Sequence, residues 1–428
     1  MNELILFTKS YPFGHKETYV HNEIPFLLNQ FDRICIIPID YYGDGSDINY
    51  SIDEERISFF LVNSVAAKKS LFYTLQKNFR CGIIVLSEII SGRDGWNHLR
   101  HFRFAHTYAK ICYDQAKAIE ETVTHRNRSQ IIYSYWFHKS VVVAALMKRF
   151  FGVRLPLISR AHSSDLYHRD WNQFMQLEKE PFMPLEWYKV KWTDKIFTIS
   201  DHGCLHFKKV FPKYSNKFEV SRLAVKATSK LNPFKDEGIF RMVTCSGITR
   251  NKRVIRMPAI VDALRDYPVE WVHIGSSWKE NVQLLVDEIT QRGISDKVVL
   301  KGQMTQEEIK SYYESEQINL FLNISRAEGL PVSIMEAFSF GVPAIATSAV
   351  GSPEIVDDSC GGVIPVEFED ADLVEMIKQL ILSPESQRIK RAGALSRFNA
   401  DYSAEKNYSL FAKLLLEFMH SQTAIPPQ

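Results

Sequence analysis

An α/β protein with two doubly wound parallel sheets is the fold class this 428-residue sequence predicts, on three observations. From residue 239 onward, short apolar runs alternate with helical stretches at regular intervals, the sign of repeated βαβ units. Gly247, Gly275, Gly302 and Gly329 each fall at or near the end of such a run, as the ligand-facing edge of a parallel sheet requires. Residues 224–238 carry Ser, Pro and charge with little periodicity, and separate two halves of similar size.

In the first half, strands are expected over 4–8, 33–38, 131–135, 157–160 and 195–199, and helices over 17–30, 102–121, 140–151 and 202–211. Residues 41–95 resist placement, and an inserted hairpin and amphipathic helices are expected there. In the second half, strands are expected over 239–245, 269–274, 297–300, 318–324 and 343–347. Helices are expected over 254–265, 278–292, 306–314 and 331–340. The domains are then 1–225 and 239–400, with a linker over 226–238 and a helical stretch over 401–428.

Hydrophobic residues at 45% and charged residues at 24% match globular averages and argue against disorder. The six cysteines are scattered without metal-ligand spacing and read as small core residues of a cytoplasmic protein. No apolar run approaches the length of a membrane span, and the run over 4–7 reads as a first strand, not a signal peptide. The net charge of +2 hides a split: 32 Lys and Arg against 23 Asp and Glu in residues 1–230, and 20 against 27 thereafter. Basic clusters over 98–103, 148–151 and 208–217, with Phe102, Phe104, Phe150 and Phe151 among them, suit either solvated helix faces or an anionic membrane surface. Nucleic acid is not an expected partner, because no recognition motif is present and the net charge is small.

The segment 325–354, SRAEGLPVSIMEAFSFGVPAIATSAVGSPE, describes a site. A strand ending near Ile324 delivers Glu328 to a Gly-Leu-Pro turn, and a helix from about Pro331 carries Glu336 on its second turn. The free amides of that helix start favour an anion, and carboxylates accept hydrogen bonds from hydroxyls. Hydroxyl, phosphate, hydroxyl is the pattern of a nucleotide sugar. The spacing alone carries nothing, since Glu280 with Glu288 and Glu308 with Glu316 repeat it on stretches that read as solvated helices. With the Gly-Leu-Pro turn, the later Gly-Val-Pro and the Ile-Ala-Thr strand around it, the segment resembles the signature of retaining glycosyltransferase family 4, of the GT-B fold. The resemblance covers the C-terminal half strongly and the N-terminal half more thinly.

That resemblance implies two Rossmann-like domains facing a central cleft, with a C-terminal helix crossing back to the first. It implies transfer of a sugar from a nucleoside diphosphate sugar donor to a hydroxyl of a growing, lipid-linked glycan acceptor, with retention. Glu328 would bind sugar hydroxyls and steady oxocarbenium-like charge, Glu336 would bind the ribose, and Gly329 and Leu330 would belong to the donor turn. The loop Cys245-Ser-Gly-Ile-Thr-Arg-Asn-Lys-Arg253 crowds three cations before a helix, which calls for an anion. Lys252 matches the family's diphosphate lysine in its spacing from Gly247, whereas Ile248 replaces the usual Arg and leaves Arg250 as the second charge.

The stretch Arg160-Ala-His-Ser-Ser-Asp-Leu-Tyr167 resembles the Arg-Ala-His-x-x-Asp of polysaccharide-building members, in which His162 lies near the transferred sugar; Asp165 suits that site or a helix cap. Gly14, in Tyr11-Pro-Phe-Gly-His-Lys-Glu17, stands where the family has two glycines, and Glu17 suits a favourable first-turn carboxylate. Gly302-Gln303-Met304 resembles the stretch whose backbone meets the nucleobase. No Asp-x-Asp motif is present, so neither a catalytic metal nor another cofactor is expected. The same fold serves nucleotide-sugar epimerases and non-catalytic partner subunits, which are the alternatives.

Overall fold

The computed structural model describes residues 1–14, 17–48, 50–62, 70–91, 95–123, 128–167 and 182–423. Two separate sheets, every ladder parallel, build two domains. The first has seven strands: β1 (Asn2–Thr8), β2 (Arg33–Pro38), β3 (Ile57–Phe59), β4 (Ser129–Ser134), β5 (Leu157–Ala161), β6 (Lys195–Thr198) and β7 (Phe218–Val220). Their spatial order is β3-β2-β1-β4-β5-β6-β7. The second has six: β8 (Phe240–Cys245), β9 (Val269–Ile274), β10 (Val298–Gly302), β11 (Leu320–Asn323), β12 (Ala344–Thr347) and β13 (Gly361–Ile364), in the order β10-β9-β8-β11-β12-β13.

Alternation along each strand feeds two cores per sheet. On one side of the first sheet, Ile5, Phe7, Cys35, Ile37 and Ile132 pack with helices Phe102–Val123 and Lys139–Phe150. On the other, Leu4, Leu6, Ile34, Ile36 and Ile131 pack with helix Thr18–Leu28 and with Phe411, Leu415 and Met419 of helix Ala404–Thr423. That last helix therefore lies on the N-terminal sheet, and Tyr408 ties it there by donating its hydroxyl to Ala224 O at 2.8 Å. In the second sheet Val243, Val272 and Phe321 face helix Val332–Ser339, while Met242, Trp271 and Leu320 face helices Met257–Ala263 and Asp370–Ile381.

Both sheets reverse their strand order once, between β1 and β4 and between β8 and β11. Crevices outside the carboxyl ends of strands open at such reversals, so four loops are set to build a site: those after β1, β4, β8 and β11.

Several expectations are corrected. Among the described residues of 41–95 there is no hairpin: β3 joins β2 in parallel and helix Leu71–Ser91 follows. Within the stretch expected as a linker, Asn232 packs on the second domain: it is buried, and its side chain donates to Tyr313 O at 2.7 Å and accepts from Ile318 N at 3.0 Å. Phe150 and Phe151 pack against the N-terminal core, Lys148 pairs with Asp194 at 2.5 Å, and Lys217 donates to three backbone carbonyls. These groups of the basic clusters serve the fold. No helix among the described residues is long and apolar enough to cross a membrane.

Candidate active site

The C-terminal wall grows from the loops after β8 and β11. Asn251 clasps them together: its side chain donates to Ala327 O and accepts from Ala327 N, both at 3.0 Å, and its carbonyl accepts from Arg326 N at 2.8 Å. Arg253, buried and left-handed at φ +53°, donates to the carbonyls of Ile324 at 2.6 Å, Val366 at 2.7 Å and Ser325 at 3.2 Å. Of the three loop cations, this one is committed to the backbone. Lys252 instead reaches Glu328, Nζ to Oε1 2.5 Å, and Asn323 donates to the same oxygen at 3.2 Å. Lys252 and Asn323 line a pocket with Cys245, Ser246 and Ser325.

Ile248 is buried in the core, so the position where the family places an Arg offers no group to a ligand. Arg250 is exposed on the loop and is not among the residues lining that pocket. Leu330 is likewise a residue of the C-terminal core, packed with Ile334 and Met335 of helix Val332–Ser339.

Helix Val332–Ser339 begins after Pro331, with no side chain capping its first amides, so its N-terminus keeps its anion-binding capacity. Burial pushes the Glu336 carboxyl up to about 7, against a hydrogen bond from Gln306 that pulls it down. Burial also lifts the Cys245 thiol to about 12; Glu336 adds to that rise and Lys252 opposes it. Cys245 lines the pocket beside Lys252.

The N-terminal wall is knitted by carboxylates of its own. Glu17 is buried, and its carboxylate accepts from Ser10 N at 2.6 Å, Tyr11 N at 2.7 Å and Trp136 Nε1 at 2.6 Å. It is thus the clasp of the loop after β1, more than a first-turn charge. Trp136 lies against His162, ring centroids 4.3 Å apart, and Tyr135 stacks on the same imidazole. His162 Nε2 donates to Tyr135 O at 3.0 Å, which fixes the proton on that nitrogen and leaves Nδ1 as an acceptor. Burial pushes the imidazole down to about 3, so it is neutral at working pH.

Asp165 caps its own short helix by accepting from His162 N at 2.8 Å, and it also accepts from Phe137 N at 3.3 Å. Burial raises its carboxyl, but the His138 ring, 2.8 Å away, and the His162 contacts outweigh burial and hold the group well below the usual carboxylate range. Arg160 points away from the cleft, fully buried on Glu23 at 2.6 Å.

The two walls meet at Gly329. A Cβ there would lie 2.4 Å from the Cβ of Ser163, and one on Gly351 would lie 1.8 Å from Gly329 O, so this crossing accepts only glycine at both positions. Ser163 follows His162 and Gly329 follows Glu328, so the contact sets the two expected catalytic residues on facing walls. Glu354 spans the domains as well, accepting from Asp201 N at 2.9 Å and His202 N at 2.8 Å at the start of helix Asp201–Val210.

Gly247 follows β8 beside Ser276, Gly14 takes φ +68° in the loop after β1, and Gly302 ends β10 at φ +69° with Met304 packed on the C-terminal core just beyond. Sequence reasoning missed Asn251, Asn323 and Trp136. The signal was available for Trp136, which closes an apolar strand run, but the strand order that makes β4 a site strand was not. Among the described residues no group of three or more His, Cys, Asp or Glu could hold a metal ion.

Residues 233–395 match the family model described as glycosyl transferases group 1. The solved structures agree over the whole length: the sucrose-phosphate synthase of Thermosynechococcus elongatus superposes with a TM-score of 0.71 at 12% identity, covering 98% of this chain and 100% of that one. Anabaena HepE in complex with UDP superposes at 0.68 and 15% identity, covering 97% and 100%. The fold is GT-B. Among curated relatives, the amylovoran biosynthesis glycosyltransferase AmsK of Erwinia amylovora is 31% identical over 96 residues, 22% of this chain and 24% of that protein. One of the phosphatidylinositol N-acetylglucosaminyltransferase subunits of Arabidopsis thaliana is 25% identical over 225 residues, 45% and 49% of the two chains. The matches span half or less of these relatives, and the GT-B architecture is what the full-length likeness establishes.

Proposed function

We propose that the protein is a retaining glycosyltransferase of polysaccharide biosynthesis, moving a sugar from a nucleoside diphosphate sugar to a hydroxyl of a growing, lipid-linked glycan at the inner face of a membrane. The observation that carries the reading is the Lys252–Glu328 ion pair, 2.5 Å long, beside the uncapped start of helix Val332–Ser339 and facing His162 across Gly329. Amylovoran biosynthesis in one relative and UDP-glucose bound to HepE in one neighbour agree with the substrate class.

In this reading the donor diphosphate takes Lys252 and the helix amides, with Arg250 closing from the loop. Glu328, released from the ion pair, accepts from sugar hydroxyls and stabilises positive charge as it develops on the sugar. Neutral His162 lies beside the transferred sugar and helps to position it. Glu336 accepts from the ribose, with its carboxyl shifted toward the ionised form by the hydroxyls it meets. The leaving phosphate takes the acceptor proton on the face it departs from, which gives retention. No resident metal enters the reading, since Lys252 and the amides offset the leaving charge.

The test is slow hydrolysis of a panel of UDP- and GDP-sugars followed by NMR. Release of the sugar as the α-anomer supports the proposal. Inversion at C2 of the sugar would make the protein an epimerase, and binding without turnover would make it a non-catalytic subunit.

A further inference from the structure

Helix Leu71–Ser91 turns its charges inward beside buried Cys81, Ile84 and Val85, and exposes a second apolar face outward. Lys77 pairs with Asp114 at 3.1 Å, Arg80 donates to Tyr113 OH at 2.8 Å, and buried Glu88 accepts from Trp187 N and Tyr188 N at 2.7 and 3.0 Å. Its outer face carries Phe72, Leu75, Phe79, Ile83, Leu86 and Ile90, each between 46% and 82% exposed, spaced three or four residues apart. A solvated helix has the opposite arrangement, and an unbroken exposed stripe of this kind marks a docking surface.

We infer that this stripe lies in the headgroup boundary of an anionic lipid bilayer. The occupant follows from the charges around it. Residues 70–113 carry six Lys and Arg against two acids, Asp94 and Glu88; Glu88 is buried, whereas Arg100 and Arg103 are exposed. An apolar stripe edged by cations fits acyl chains below and phosphate groups above.

The stripe also points to the right place. Trp96, Leu99 and Phe104 continue it, all more than half exposed. Glu88 holds the amides that open helix Glu186–Trp192, and Lys189 of that helix reaches Phe137 O, just beyond the carboxyl end of β4. The C-terminal end of helix Leu71–Ser91 is therefore tied toward the loop after β4, at the cleft edge of the sheet, which suits an acceptor held by a lipid. The inference deepens the lipid-linked acceptor reading, and donor hydrolysis in solution tests that reading separately.

Flotation with phosphatidylglycerol–phosphatidylcholine vesicles tests the docking. Wild type should float, and should keep part of its binding at high salt, because burial of apolar surface is not screened. The triple variant Leu75→Ser/Phe79→Ser/Ile83→Ser should lose more than about tenfold in partitioning while keeping its UDP affinity. Arg100→Gln/Arg103→Gln should lose only the salt-sensitive part. Quenching by bromolipid should fall in Trp96→Phe relative to wild type, which reads the contact without altering the stripe. Failure of wild type to float, triple-variant partitioning equal to wild type, or a dimer in sedimentation that the triple variant dissolves without any vesicle binding would each overturn the inference.

Discussion

Asp165, fully buried, and Glu336, half-buried, stand on opposite walls of the cleft, and their carboxyls are shifted in opposite directions. Asp165 is surrounded by donors from its own chain, the His162 and Phe137 amides and the His138 ring, and stays well below the usual range. Glu336 has Gln306 and little else, and rises to about 7. The difference teaches how to tell a strut from a binding group. A buried carboxylate whose charge the fold offsets with its own groups holds the structure together, and one left with little offsetting charge is poised for a ligand to supply it.

The comparison breaks most readily at Asp165. Asp165→Ala should lower unfolding stability by about 3–5 kcal/mol in urea titration, since it leaves buried donors without an acceptor. UDP affinity of the folded fraction should stay within about twofold. A carboxyl held below its unfolded value stabilises the fold above that value, so the gap between wild type and variant should close as pH falls below about 4. A variant of wild-type stability would mean the knot is not a strut.

Glu328→Gln should cut turnover about 100- to 1000-fold while UDP affinity holds or tightens, because Lys252 is released from its partner. Equal losses in turnover and UDP affinity would place Glu328 on the ground-state donor instead. Lys252→Ala should weaken UDP about 10- to 100-fold in calorimetry, and an unchanged affinity would remove the lysine from the diphosphate site.

The smallest effect sharpens the comparison. A carboxyl raised from 4.5 to about 7 costs stability as pH rises through that window, since the unfolded chain ionises first. Glu336→Gln should therefore leave the ligand-free protein about 1–2 kcal/mol more stable than wild type at pH 8 and nearly equal at pH 4, while UDP binding weakens by about tenfold. A variant less stable than wild type at pH 8 would make Glu336 a strut like Asp165.

The C-terminal wall was legible because its chemistry is contiguous: Glu328, the turn and Glu336 lie within one strand-turn-helix, and β8 to β12 fall close to their expected bounds. The N-terminal wall was not, because Glu17, Trp136 and His162 come from three loops that only the strand order β1-β4-β5 brings together. Strands β3 and β7 have three residues each, too few to show alternation. Helix Leu71–Ser91 has apolar residues on both its inner and outer faces, Cys81, Ile84 and Val85 against Leu75, Phe79 and Ile83, so no single-sided periodicity announces it. Charges mislead for a related reason: Lys148, Lys217 and Arg253 look free in sequence and are bound to partners far along the chain.

The return of helix Ala404–Thr423 to the first sheet has a consequence for biosynthesis. Leu4, Leu6 and Ile34 are sealed by Phe411, Leu415 and Met419, and the tie between Ala224 and Tyr408 spans 184 residues. At about 5–20 residues per second, the ribosome needs roughly 10–40 seconds to make that interval. For all of that time the emerging first domain carries an oily side that helix Thr18–Leu28 covers only in part, so it is during translation that this chain most needs a chaperone.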